Sequence, residues 1–327
     1  MNIAFTINDN YAIHCAALIE SIISNKAEGT AIDFHVISND LKNTTKSILI
    51  EYVRKKIDCS ISFYNCDLVE IENSFILNGA QFLSHISSDT FARLYLTEIL
   101  PVEIDKILYL DVDIIVNGDL NELYSQTQID GYYAAVVPQI DEFFVFNNDR
   151  VYDSQFLYFN AGVILLNLKE LRDINCVALY KRFFIENSNL VLFNDQDILN
   201  YCIGNNVKYL DLKYNVITPY LRESSFDFMH DNYRFGGVKE GVYSPKKSHQ
   251  EAINNPIIIH FVSRPKPWEL GCSHPYRKLY FEALNSTVFS SKNQAIFKIT
   301  TNAISQLKKA YNYFFSSKNR FINHKIL

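Results

Sequence analysis

Two aspartates one residue apart, Asp111 and Asp113 in LYLDVDIIV, are the strongest candidates for chemistry in this chain. On an extended backbone, side chains two apart point to the same side. Two adjacent carboxylates repel unless a cation neutralises them. A divalent metal held there can bridge two phosphates and carry the charge of a departing diphosphate. The plain alternative is a solvated pair at a strand end. The buried-looking run KILYL before the triplet, and the apolar run after it, favour the metal. His260, in the apolar run IIIHF, is the candidate third ligand, because imidazole beside carboxylates suits a borderline metal such as Mn2+. Its alternative is a hydrogen-bonded structural histidine. Lys266 follows six residues on, between two prolines that stiffen the loop. A lysine held there can meet a diphosphate and stabilise it as a leaving group, whereas the bland reading is a surface lysine.

These residues need a scaffold. Residues 2–7 read as a strand, a polar NDNY loop follows, and 12–25 carries apolar residues at helical spacing. Residues 33–38, 60–64 and 106–110 read as strands, and 44–56 and 90–99 as helices. Beyond the aspartates, 131–137, 162–167 and 257–262 read as strands, 195–202 as a helix and 236–248 as a polar loop. Alternating strands and helices predict an α/β fold with a mostly parallel sheet, whose ligands sit beyond the C-terminal strand ends.

The 327 residues and 48% hydrophobic content suffice for a large buried core. No Pro/Ser-rich linker or internal repeat interrupts the chain before 285, so 1–285 is expected to be one catalytic domain. Residues 286–327 hold seven Lys/Arg and no Asp/Glu, so all 36 acidic residues lie in the body. Such a body is a poor partner for nucleic acid. Ile296, Ile299, Ala303, Ile304, Leu307, Tyr311 and Phe314 recur at steps of three or four with lysines between them, predicting a basic amphipathic helix. Its expected partner is the anionic inner face of the cytoplasmic membrane, with packing on the body or at an oligomer interface as the alternative. The six cysteines show no metal-ligand spacing, the N-terminus lacks a signal-peptide pattern, and no apolar run approaches the ~20 residues of a membrane span. A reduced, cytoplasmic setting is expected.

Taken in order, FTINDNY, FARLYL, YLDVD, FNAGVILLNL, DQDILN and the H-x5-KPW block resemble glycosyltransferase family 8. The resemblance runs from residue 1 to about 285. It is clearest to the bacterial lipooligosaccharide α-galactosyl- and α-glucosyltransferases, with glycogenin more distant. It implies a GT-A fold: a nucleotide-binding, Rossmann-like α/β sheet with an acceptor-binding second half.

The resemblance also implies roles. Thr6, Asn8, Asn10 and Tyr11 would line the uridine pocket, with Tyr11 stacked on the base; alternatively Asn10 caps the next helix. Arg93 would face the sugar and diphosphate, since its fork fits charged oxygens. Asp111, Val112 and Asp113 would hold the donor, the aspartates together with His260 through Mn2+, or Mg2+ in its place. Asn160 would approach the sugar, and Gly162 would let backbone and ligand come close. Asp195 would bind sugar hydroxyls, and Gln196 would lie by the anomeric carbon of a retaining reaction. Asp197 is the alternative nucleophile. Ser263 would line the donor site where the family usually carries glycine, and Lys266 would contact the diphosphate.

The expected activity moves galactose or glucose from UDP-galactose or UDP-glucose to a sugar hydroxyl of a surface glycan such as lipopolysaccharide, on an acceptor expected to be lipid-linked. Two alternatives stand beside it: a glycogenin-like self-glucosylating primer, and a non-catalytic sugar-nucleotide-binding protein.

Overall fold

The computed structural model describes residues 1–66, 88–139, 157–188, 191, 193–221, 245–262 and 264–290. β1 (Asn2–Thr6), α1 (Ala12–Asn25), β2 (Ile32–Ser38), α2 (Asn43–Arg54) and β3 (Cys59–Asn65) alternate as the periodicity predicts. β4 (Lys106–Leu110) runs into the aspartates, and β5 (Ile114–Val116) leaves them. β6 (Ala134–Pro138), β7 (Phe159–Asn167), α3 (Leu168–Asp173), α4 (Cys176–Asn187), α5 (Asn194–Ile203) and β8 (Val207–Tyr209) follow. β9 (Val216–Ile217), α6 (Pro245–Asn254), β10 (Ile258–His260) and α7 (Arg277–Asn285) complete the described elements.

Seven strands form one sheet in the order β3-β2-β1-β4-β7-β6-β8. β7 runs antiparallel to both its neighbours, and the other four pairings are parallel. The sheet is covered on both faces. Ile3, Phe5, Leu108 and Leu110 point into the cluster shared with α1 and α2, while Ala4, Ile107 and Tyr109 point into the cluster shared with α3–α5. Alternate residues of one strand therefore serve two cores, which is why these strands read as continuous apolar runs. A second sheet, β5-β10-β9, stands where β4 hands over to β5. In it Ile114 pairs with His260 and Ile217 with His260. The residue after Asp113 is thereby locked beside the histidine.

Several expectations are corrected. The helical stretch expected over 90–99 is a 3-10 helix at 88–95 followed by one α-turn at Leu96–Ile99. Arg172 donates to the carbonyls of Thr97, Leu100, Pro101, Val102 and Ile104 at 3.0–3.4 Å, fastening the end of that segment to α3. β6 starts at Ala134, because Gly131 is in the left-handed region at φ 76 and turns the chain before the strand. The expected loop at 236–248 is helical from Pro245, and 236–244 lies outside the described residues. Residues 286–290 continue the body: Thr287 is buried and Phe289 packs against the cluster of Phe261 and Tyr280. The expected amphipathic helix of the tail lies outside the described residues. No helix among those described is long and apolar enough to cross a membrane.

Candidate active site and metal centre

Asp111 and Asp113 sit in the corner between the two sheets, at the C-terminal end of β4. The backbone N–H of Asp111 donates to the Gly162 carbonyl at 2.9 Å, and the Asp113 carbonyl accepts from Phe261 N–H at 2.9 Å. One clamp comes from β7 and the other from the chain just after β10, so the backbone that carries the two aspartates is held from both sides. Val112, between them, turns its side chain into the core and offers the site only backbone.

One ligand atom each from Asp111, Asp113 and His260 lie within 4.8 Å of one another. His260 Nε2 is 3.1 Å from Asp113 Oδ1 and 3.9 Å from Asp111 Oδ2. Two carboxylates from the turn after β4 and an imidazole from β10 make a donor set that suits a divalent cation of the Mn2+ kind. Gly162 supplies the room. A Cβ there would lie 2.2 Å from His260 Cε1 and 2.8 Å from Asp111 Oδ2.

Cations flank the cluster. Lys266 Nζ is 2.6 Å from Asp113 Oδ2 and also donates to the Phe261 carbonyl. Burial alone would raise the Asp113 carboxyl, but Lys266 and His260 hold it well below the usual carboxylate range. Arg93 is buried and forks between Asp111 Oδ1 and Asp195 Oδ2, each at 2.8 Å, while its Nη1 donates to the Ala161 carbonyl at 2.6 Å. Its guanidinium lies over the Tyr109 ring. Burial pushes the Asp195 carboxyl up to about 7, against the pull of Arg93. Asp195 is thus engaged with Arg93 at 3% exposure, where the resemblance assigned it to sugar hydroxyls. Arg93→Lys should lower stability by about 1–3 kcal/mol, read as a lower urea midpoint, because one ammonium cannot span both carboxylates and leaves a buried one unpaired. An unchanged midpoint would contradict it.

The DQD triplet opens α5 after Asn194, which takes the left-handed conformation at φ 48 that asparagine tolerates. Gln196 Oε1 accepts from Ala161 N–H at 3.0 Å and Asn160 Nδ2 at 3.1 Å, and its Nε2 donates to Tyr158 Oη at 2.8 Å. Asn160, on β7, is therefore tied directly to Gln196. Asp197 is 1% exposed, accepting from Tyr158 at 2.8 Å and from Phe193 N–H at 2.7 Å. Both carboxylate oxygens are thus engaged, and the bond from Phe193 N–H closes the first turn of the helix.

The N-terminal loop is arranged differently from expectation. Asn8, not Asn10, caps the turn, accepting from Asn10 N–H at 3.1 Å. The physical reason is the 3-10 turn Asp9–Tyr11 inserted before α1. Asn10 is exposed. Thr6 Oγ1 lies 2.7 Å from Tyr109 Oη, which donates to Asp111 Oδ1 at 3.1 Å, so Thr6 reaches the aspartate through the tyrosine. Tyr11 meets Trp268 of the KPW block edge-on. Ser263 lies outside the described residues.

Sequence reasoning assigned nothing to His14, Gln139, Tyr158, Asn215 or Trp268. Only Trp268 carried a signal, standing beside the prolines of its motif. His14 stacks on Trp268 at 3.6 Å between ring centroids and bonds Tyr280 Oη through Nδ1 at 2.6 Å, joining α1, the KPW block and α7. Burial pushes the His14 ring down to about 3, with Asp113 opposing, and burial pushes His274 down to about 4. Below an unfolded value of 6.5 the unfolded chain then binds protons that folded His14 refuses. Its contribution to stability is complete above that pH and is lost as pH falls toward about 3, by up to about 1.4 kcal/mol per pH unit. Urea midpoints should fall along that limb, and His14→Phe should flatten it. An equal slope in the variant would refute the assignment.

The sequence model described as Glycosyl transferase family 8 matches residues 2–271. Among curated relatives, a lipopolysaccharide 1,2-glucosyltransferase of Escherichia coli K12 is 25% identical over 315 residues, covering 96% of this chain and 85% of that protein. A lipopolysaccharide 1,3-galactosyltransferase of Salmonella typhimurium LT2 is 24% identical over 323 residues, covering 97% and 86%. Among solved structures, the galactosyltransferase LgtC in complex with donor and acceptor sugar analogs superposes with a TM-score of 0.73 at 23% identity, covering 91% of this chain and 100% of that one. The fold is GT-A.

Proposed function

Because the chain belongs to glycosyl transferase family 8, we propose that it transfers a hexose, galactose or glucose, from a UDP-sugar to a sugar hydroxyl of a cell-surface glycan of the lipopolysaccharide kind, with retention of configuration and dependence on Mn2+. The observation that carries this reading is the convergence of Asp111, Asp113 and His260 within 4.8 Å at the end of β4. The names of the curated relatives, which act on lipopolysaccharide with glucose or galactose, support the substrate class.

In this reading Asp111, Asp113 and His260 would hold the metal, which would supply positive charge against a departing diphosphate. Lys266 and Arg93 stand on either side of the aspartates and add positive charge where the leaving group gains negative charge. Tyr11 and the loop of Asn8 and Asn10 receive the base, and Val112 contributes backbone. Gln196, braced by Asn160, faces the sugar. An amide is a poor nucleophile, and both Asp197 oxygens are engaged. This favours a front-face route, in which acceptor and leaving group share one side of the anomeric carbon.

The deciding experiment measures hydrolysis of a UDP-sugar panel with and without Mn2+, and the anomeric configuration of the product. Activity fully retained in EDTA would sink the metal reading, and hydrolysis of no UDP-hexose would sink the donor. The basic tail is proposed to hold the enzyme on the cytoplasmic membrane's inner face, near a lipid-linked acceptor. Membrane fractionation unchanged by removing residues after 290 would refute that placement.

A further inference from the structure

A buried asparagine with no signal in the sequence lies between the metal cluster and the sugar-facing amides. Asn215 is 1% exposed and immediately precedes β9, the parallel neighbour of β10. Its Nδ2 is 3.0 Å from Asn160 Oδ1, and its Oδ1 is 3.0 Å from His260 Nδ1.

The direction of every bond in this chain follows from one backbone group. Gly162 N–H can only donate, and it donates to Asn160 at 3.0 Å, so that atom is the Asn160 oxygen. The Asn215 atom facing the same oxygen must then be its NH2. The other end of Asn215 is therefore its carbonyl, which can only accept, and His260 Nδ1 must carry a proton to meet it. The nitrogen left to face Asp111 and Asp113 is Nε2. On the far side, Asn160 uses its own NH2 on Gln196 Oε1 at 3.1 Å. One polarised series, His260–Asn215–Asn160–Gln196, thus links the candidate metal ligand to the residue proposed to face the anomeric carbon.

Resting on the metal reading above, we infer that Asn215 is a positioning residue: it fixes His260 with Nδ1 protonated and Nε2 aimed at the metal, and holds Asn160 in register with that ligand. A ring free to turn about its χ2 torsion would present carbon or the wrong nitrogen to the cation for much of the time. A neighbour that accepts from the non-ligating nitrogen removes those arrangements. Arg93 and Tyr109 hold the Asp111 carboxylate and Lys266 the Asp113 carboxylate, and Asn215 holds the Nδ1 side of the His260 ring. Asn215 bonds neither carboxylate, so its effect on the metal passes through the histidine.

The test uses the full chain with UDP, Mn2+ affinity by electron paramagnetic resonance, and side-chain nitrogen NMR of histidine-labelled protein. Asn215→Leu, similar in volume and unable to accept, should weaken Mn2+ binding about tenfold. Asn215→Asp keeps the acceptor toward His260 and should bind Mn2+ more tightly than the leucine variant. The NMR spectrum of the wild-type protein should place a proton on His260 Nδ1. Wild-type protein that binds no Mn2+ fails the metal reading itself. Wild-type binding matched by an equally tight leucine variant overturns the inference alone. A bare Nδ1 in wild-type protein overturns it even if both variants fail to fold.

Discussion

Asp113→Asn should reduce kcat/KM for transfer from the donor by about three orders of magnitude at saturating Mn2+, a loss of about 4 kcal/mol in transition-state stabilisation. The substitution preserves shape and removes charge. It turns one of the two oxygens, 3.1 Å from His260 Nε2 or 2.6 Å from Lys266 Nζ, into an NH2 donor that faces a cation or a ligand nitrogen. A hard anionic ligand is lost at the same stroke, so the Mn2+ titration should shift to higher concentration. The fold should survive, because the backbone of residue 113 stays bonded to Phe261 and Lys266 keeps its bond to the Phe261 carbonyl. A variant with an unchanged Mn2+ midpoint and more than a tenth of wild-type activity would remove Asp113 from the metal site.

Gly162→Ala should be nearly as damaging, although it changes no charge and adds one methyl group. The added Cβ would stand 2.2 Å from His260 Cε1, 2.8 Å from Asp111 Oδ2 and 2.9 Å from His260 Nδ1. None of these is the loose end of a flexible side chain. Asp111 is tied to Arg93 and Tyr109, and His260 to Asn215. Both ligands would have to move apart. Overpacking of this kind costs about 1–3 kcal/mol, and a misplacement of ~1 Å at a reacting site costs roughly 10²-fold in rate. Elsewhere in a strand interior alanine stabilises relative to glycine, so a raised urea midpoint with normal Mn2+ affinity would contradict the assignment. Asp113→Asn acts on affinity and rate with the fold intact, whereas Gly162→Ala acts on all three together. The structure also sharpens the reason for this glycine. It makes space for two candidate ligands to meet, whereas the sequence suggested room for the bound donor.

Local order in the chain determined the scaffold. β1, α1, β2 and β4 lie within a residue of their expected bounds, because each is set by an apolar repeat that its own segment displays. Asp111 and Asp113 were legible for the same reason: they follow directly on a strand buried on both faces. The 90–99 segment was legible as helical but its 3-10 character over 88–95 was not, because a 3-10 and an α-helix have similar periods. The meeting of residues far apart in sequence was decided only by the tertiary structure. His260 reaches Asp113 because β10 pairs antiparallel with β5, and Arg93 reaches Asp195 because α5 packs beside the 3-10 segment. Asn215 was invisible, since an asparagine in KYNVI has no spacing to mark it. Its role comes from donors and acceptors supplied by β7 and β10. Periodicity is a property of one segment and can be read along it, whereas a site is a set of distances between segments, set by strand pairing and packing.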